Sequence, residues 1–227
     1  MRYELKYQIT PFLQHTLLKR FENIMAYDRF SGKDGYIVSS LYFDDIRCSA
    51  YHQKIDGVSD RVKYRARVYN HSDKSIKLEK KKRISGFIEK QTRSLQRCEY
   101  ERMCNGDFSF LLESDAPYSR QFYTAFSLSR LKPATVVEYH RIAFADAAGT
   151  RVTFDDNLKA SVLHHDLFSN DAVYLNAGER ENVILEVKFT NVLPEAVRMA
   201  LNQSNVQLRS ISKYAMCMEK RFEVTQR

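Results

Sequence analysis

Glycine and proline are scarce in this chain of 227 residues, at 7 and 4. So few chain breakers argue against a linker-rich array of small modules. The glycines form neither a P-loop nor a Gly-x-Gly-x-x-Gly turn, so phosphate binding on a glycine-rich loop is not indicated. The cysteines (Cys48, Cys98, Cys104 and Cys217) lie far apart, with no Cys-x-x-Cys. That spacing excludes a zinc ribbon and points to free thiols in a reducing compartment. Gly-x-Ser-x-Gly and His-Glu-x-x-His are both absent. No apolar run approaches the ~20 residues that span a bilayer. The N-terminus enters a charged strand without an apolar signal region. A cytoplasmic protein with no transmembrane segment is expected.

What is present is a core and an excess of positive charge. Hydrophobic residues make up 44% of the chain, enough for a sizeable core, which excludes global disorder. Lys and Arg number 36 against 28 Asp and Glu, a net charge of +8 and a pI near 9.2. The excess favours an anionic partner: nucleic acid, an acidic membrane surface or a phosphate-rich small molecule.

Hydrophobic periodicity orders the elements. Tyr3, Leu5, Tyr7 and Ile9 alternate with Glu4, Lys6 and Gln8, which predicts a strand. Thr10-Pro11 then reads as a helix cap with proline in the first turn, before Phe12, Leu13, Leu17, Leu18, Phe21 and Met25 at helical spacing. Further strands are predicted near 35–43, 61–69, 75–83, 86–93, 135–145, 150–156, 159–165 and 182–189, with turns at 70–73 and at Ser85-Gly86. Helices are predicted near 47–54, through much of 94–130, from Asn191 to Gln203 and from Ser210 to Lys220. The order implies an α+β fold in one domain, 1–227, with one large sheet closed or nearly closed.

Six of these segments place basic residues one position apart or beside a carboxylate: Glu4-Leu5-Lys6, Lys63 to Arg67, Lys77 to Arg83, Tyr139-His140-Arg141, Arg151-Val152-Thr153 and Glu186-Val187-Lys188. Alternate side chains of a strand share a face, so Lys63, Arg65 and Arg67 stand together. Several such strands make a basic wall suited to a multiply charged anion. Arg65 and Arg67 can grip neighbouring phosphates, because a planar guanidinium donates bidentate hydrogen bonds to phosphate oxygens. Glu186 shares a face with Lys188, opposite Val183, Leu185, Val187 and Phe189. Two roles are open to it: a salt bridge to Lys188, or a ligand to a divalent cation that bridges phosphate oxygens. His164-His165-Asp166 reads as a polar strand end, since adjacent strand histidines point to opposite faces.

Eight of these pieces, in order, resemble the VTC domain, the polyphosphate polymerase branch of the triphosphate tunnel (CYTH-like) metalloenzymes. They are residues 2–7, Leu41 to Asp45, Arg61 to Tyr69, Leu78 to Lys81, Tyr139 to Phe144, Arg151 to Leu158, Leu185 to Phe189 and Ser212-Lys213-Tyr214. The resemblance implies a closed, mainly antiparallel barrel forming a tunnel, with flanking helices and a C-terminal helix. It implies transfer of the γ-phosphate of ATP to a growing polyphosphate chain. Lys6, Arg65, Arg67, Lys81, Arg141 and Lys188 would then be phosphate ligands, with Lys90 on a following strand. Tyr139 would touch the chain, Ser212 and Lys213 would act from the C-terminal helix, and Glu186 would hold Mn²⁺ or Mg²⁺. The family often has a lysine two residues before the serine; here that position is Ser210. Either the neighbouring Arg209 takes its place or one phosphate contact is missing.

The expected function is a metal-dependent phosphotransferase acting on ATP, with polyphosphate or inorganic triphosphate as further ligands. A tripolyphosphate or nucleoside triphosphate hydrolase and a non-catalytic polyphosphate-binding module are the alternatives. Nucleic acid is not expected, because most aromatic residues fall at core-like strand positions (Tyr3, Phe43, Phe144, Phe154).

Overall fold

A computed structural model describes residues 2–84, 87–161, 164–169, 172–178, 182–202, 204 and 206–225. The turn expected at Ser85-Gly86, Val162 and Leu163 of the strand expected at 159–165, and the expected helix end at Gln203 lie outside the described residues. In chain order the elements begin with β1 (Arg2–Ile9), α1 (Pro11–Glu22), β2 (Ala26–Tyr27), β3 (Tyr36–Asp44) and α2 (Ser49–Ile55). They continue with β4 (Arg61–Tyr69), β5 (Ser72–Ile84), β6 (Phe87–Leu95), α3 (Arg97–Cys104), a 3-10 turn (Ser109–Leu111) and α4 (Ser119–Leu128). The last are β7 (Lys132–Ala145), β8 (Arg151–Ser161), β9 (Leu175–Asn176), β10 (Val183–Thr190), α5 (Glu195–Asn202) and α6 (Lys213–Thr225). The class is α+β, with antiparallel strand pairing, as the sequence implied; the barrel expected to be closed is instead an open sheet among the described residues, with strand order running from β1 to β6.

The chain divides into two compact units. The first comprises Met1–Ile37, Tyr139–Leu158 and Gly178–Ser212, with strand order β1-β10-β8-β7. Alternation sends Leu5, Tyr7 and Ile9, Val183, Leu185, Val187 and Phe189, and Val152 and Phe154 to one face. Leu17 and Phe21 of α1 and Val197, Ala200 and Leu201 of α5 cover that face. Full burial of one such side chain, Phe144 for example, stabilises the unit by about 1.5–3 kcal/mol. The Thr10 hydroxyl accepts a hydrogen bond from the Leu13 amide at 3.2 Å, with Pro11 in the first turn, so α1 starts where the cap signal placed it. Tyr3 departs from its expected core position: it is 39% exposed and stacks on Phe189 at the end of the strand pair.

The second unit comprises Val38–Glu138, Lys159–Ala177 and Lys213–Arg227, with strand order β7-β3-β4-β5-β6. Here Leu41, Phe43, Ala66, Val68, Ile76, Leu78 and Leu95 form the apolar face. Tyr100 and Met103 of α3, Phe110 and Leu111 of the 3-10 turn, and Phe122 and Phe126 of α4 cover it. Arg93 is buried in this layer, its charge matched by Glu99 at 2.8 Å and by the Ser119 hydroxyl at 2.8 Å.

Several boundaries differ from expectation, three of them for a reason the backbone shows. Asn70 and His71 both take positive φ (49° and 53°), so the expected four-residue turn closes in two and β5 starts at Ser72. The strands expected at 150–156 and 159–165 are one strand through Ser161. Asn157 takes φ 53°, a left-handed conformation that asparagine tolerates, and the chain stays in the sheet. The last helix starts at Lys213 rather than Ser210, because residues 208–211 run along β1 instead: Leu208 bridges Tyr7, and the Arg209 amide donates to the Lys6 carbonyl at 2.8 Å.

Candidate phosphate-binding faces

The polar face of the first unit is a checkerboard of charge fixed by register. Lys6 of β1 stands opposite Glu186 of β10, and Glu4 opposite Lys188; on the other side Glu186 faces Thr153 and Lys188 faces Arg151. Glu186 is only 5% exposed. Its carboxylate accepts from Lys188 Nζ at 2.9 Å, and it pairs with Lys6 Nζ at 3.4 Å and Arg141 Nη2 at 3.8 Å. Lys6 also pairs with Glu4 at 3.0 Å and donates to the Ile211 carbonyl at 3.3 Å. Arg141 makes a bidentate pair with Asp155, at 2.5 and 2.7 Å, and its guanidinium lies 5.1 Å from the Tyr139 ring.

These environments set protonation. Burial alone would lower the Lys6 pKa; the carboxylates of Glu186 and Glu4 overcome it and raise the pKa above the ordinary value. Lys188 is pushed down by burial; Glu186 and Glu4 oppose the fall and the Arg141 charge adds to it. Against the same burial, Asp155 and Glu186 hold Arg141 firmly cationic.

The second unit presents its own basic face. Arg65 donates through Nε to Glu79 at 2.7 Å and through Nη1 to the Tyr42 hydroxyl at 2.9 Å, and its Nη2 lies 2.6 Å from the same carboxylate. Lys90 pairs with the other Glu79 oxygen. Glu79 is 1% exposed; despite that burial, Arg65, Arg67 and Lys90 hold its carboxyl well below the usual carboxylate range. Arg67 is buried and donates to the Ser40 hydroxyl at 3.0 Å. Lys81 is half-buried, opposite Lys63 on one side and Lys90 on the other. Lys213, the first residue of α6, acts on Tyr42: burial would raise that phenol, but Arg65, Arg67 and Lys213 bring it below its ordinary value. Tyr214 stacks on Tyr42 at 4.8 Å and donates to Asp44 at 2.6 Å, which anchors the helix start.

Of the residues expected from sequence, Lys6, Tyr139, Arg141, Glu186 and Lys188 come together in the first unit, and Arg65, Arg67, Lys81, Lys90 and Lys213 gather in the second. Ser212 is half-buried, at the end of the segment that lies along β1. The Arg209 side chain turns outward to Gln207 at 3.0 Å, away from the Lys6 group; only its backbone reaches β1. Sequence reasoning placed Glu4, Glu79 and Arg151 in the segments of the basic wall but gave them no role of their own, and it passed over Asp155. Arg151 donates to the Tyr36 hydroxyl at 2.9 Å and pairs with Asp28 at 3.2 Å. The parity of Glu79 with Lys77 and Lys81 was a usable signal for its face; its pairing with Arg65 required the register.

The donor set around Glu186 fits a hard divalent cation. The groups are oxygens: the Glu186 and Glu4 carboxylates, and Thr153 directly across from Glu186, whose buried Oγ1 makes no hydrogen bond. Among the described residues no group of three or more His, Cys, Asp or Glu forms a complete cage. One or two carboxylates with substrate oxygens completing the shell is the usual arrangement for Mg²⁺. The adjacent His164 and His165 lie elsewhere: His164 Nε2 donates to the Val173 carbonyl at 3.2 Å, and burial and the Arg221 charge push the His165 pKa down.

Three comparisons bear on these faces. The family model of the VTC domain matches residues 1–222, across both units. Among curated proteins, no sequence matches. Among solved structures, HpAC1 from Hippeastrum, described as an adenylyl cyclase with a dominant triphosphatase activity, aligns with TM-score 0.57 at 15% identity, over 97% of each chain. A protein described as an adenylate cyclase from Bacillus halodurans aligns with TM-score 0.52 at 11% identity, over 93% of this chain and 95% of that one. The PH1819 protein of Pyrococcus horikoshii aligns with TM-score 0.50 at 11% identity, over 96% of this chain and all of the other. At such identities the likeness is one of fold: the triphosphate tunnel, CYTH-like fold.

Proposed function

From a chain that belongs to the VTC domain family, we propose a single-domain, cytoplasmic, metal-dependent phosphotransferase that moves the terminal phosphoryl group of ATP onto a polyphosphate chain. The observation that carries this reading is the set of cations held on buried carboxylates: Lys6, Lys188 and Arg141 around Glu186, and Arg65 and Lys90 on Glu79. Such cations are positioned before any ligand arrives, so little reorganisation opposes phosphate binding. In the reaction the bond between the terminal phosphorus and its bridging oxygen breaks and ADP leaves. A terminal oxygen of the acceptor chain forms the new bond. The residues hold the chain and neutralise charge developing on phosphate oxygens; positioning supplies the rate. Arg65 and Arg67 suit phosphate oxygens, which planar guanidinium groups bind in bidentate fashion. Lys6 and Lys188 exchange a carboxylate oxygen for a phosphate oxygen. Glu186, with Glu4 and Thr153, would hold Mn²⁺ or Mg²⁺, which when bound supplies charge neutralisation on the phosphates.

A second reading is hydrolysis, with water replacing the chain as acceptor; the triphosphatase activity in the description of HpAC1 motivates it. Incubation with ATP labelled at the γ-phosphate and Mn²⁺ or Mg²⁺, resolved on a gel, separates the readings. Label in long chains supports transfer. Label only in free phosphate supports hydrolysis. Unchanged ATP, with polyphosphate retained by the protein, supports a binding module.

A further inference from the structure

The β4–β5 pair sets like charges directly against each other. Arg61 stands opposite Arg83, Lys63 opposite Lys81, and Arg67 opposite Lys77, while Arg65 stands opposite Glu79. Alternation puts all eight side chains on one face. Like charges directly opposite destabilise a strand pair. The β5–β6 pair repeats it at Lys81, which stands opposite Lys90, while on the other face Lys82 stands opposite Glu89. Arg61 and Arg83 feel each other, since burial first and then the Arg83 charge lower the Arg61 guanidinium below its ordinary value. The row from Arg61 to Arg67 spans about 20 Å at the strand rise of ~3.4 Å per residue, longer than a triphosphate.

We propose that Arg61 and Arg83 form a distal anion station that holds a linear polyphosphate beyond the phosphates gripped at Arg65 and Arg67. The inference rests on the phosphate-chain reading above and deepens it: the ligand is a polymer, and the strained end of the row selects for length. A linear polyanion running along the row relieves the repulsion of each like-charged pair in turn. Single-stranded RNA is the other polyanion of this shape. Tracks for it interleave stacking aromatic residues; positions 61, 63, 65 and 67, and 77, 79, 81 and 83, contain none.

The test compares the full-length parent with R61A/R83A and with R83E, titrated with tripolyphosphate, with long-chain polyphosphate and with single-stranded RNA. Both variants are expected to keep tripolyphosphate affinity within about twofold and to lose long-chain affinity about tenfold, the equivalent of one charge-assisted contact. R83E converts the opposed arginines into an oppositely charged pair, so its melting temperature without ligand is expected to rise. Long-chain affinity equal to that of the parent in both variants overturns the proposal. So does an equal loss for tripolyphosphate, which would put the pair within the triphosphate site, or an equal loss for RNA, which would make the row a general polyanion track. A parent that binds neither tripolyphosphate nor polyphosphate defeats the phosphate-chain reading itself, and this proposal with it.

Discussion

Lys6 and Glu186 face each other in register across the β1–β10 pair, with Nζ 3.4 Å from the carboxylate, and each is shared: Lys6 with Glu4, Glu186 with Lys188 and Arg141. A carboxylate so placed can release cations to an incoming phosphate and still offer oxygens to a metal. Breaking the sharing at Glu186 should therefore separate binding from turnover. Glu186→Gln is expected to abolish metal-dependent turnover and to lower Mn²⁺ affinity while polyphosphate binding is kept. Titration with each ligand and a turnover assay check it. A variant with full Mn²⁺-dependent turnover removes Glu186 from the metal role.

Arg65 and Arg67 differ in their resting partners, a carboxylate for the first and the Ser40 hydroxyl for the second. Alanine at either position is expected to weaken tripolyphosphate binding by about 1.5–3 kcal/mol per lost charged hydrogen bond. Rising salt should weaken the parent's binding as well. Calorimetric titration measures both effects; unchanged affinity in both variants removes this strand from the ligand site.

Glu79 ties protonation to stability. Its folded-state pKa lies below the ordinary 4.5, so the unfolded chain takes up protons at this group first as pH falls. The stabilisation is fully present above 4.5 and lost as pH drops through the folded value. Thermal melts of the parent are expected to fall in that acid range, and those of Glu79→Gln to start lower and fall less steeply. Parallel acid limbs for the two proteins contradict the buried-counterion role.

Lys213 tests the C-terminal helix. Tyr214, Ala215, Cys217 and Met218 bury the helix without it. Lys213→Ala is expected to leave stability within about 0.5 kcal/mol, as for surface changes generally, and to weaken tripolyphosphate binding. Equal binding at equal stability would make the helix start purely structural.

Much of this is legible in the sequence. The β4 boundaries, Arg61 and Tyr69, follow from strict alternation, and Val183, Leu185, Val187 and Phe189 lie on the face away from Glu186 as their spacing required. Glu79 and Asp155 were not legible as site residues. Neither stands next to its partner in the sequence, and only pairing across strands reveals Arg65 and Arg141 as partners. The path of residues 208–211 was hidden for a different reason. Leu208 bridges Tyr7 and the Arg209 amide bonds to the β1 backbone, which no side-chain pattern records.

The proposed function requires these cations to hold phosphate and Glu186 to hold the metal. The most direct measurement is a crystal structure of the full chain with tripolyphosphate and Mn²⁺, using the anomalous signal of manganese. Phosphate density is predicted at Lys6 and Arg141 with the manganese peak beside the Glu186 carboxylate and, separately, at Arg65 and Arg67. Manganese bound away from Glu186, or phosphate seated away from these side chains, would contradict it.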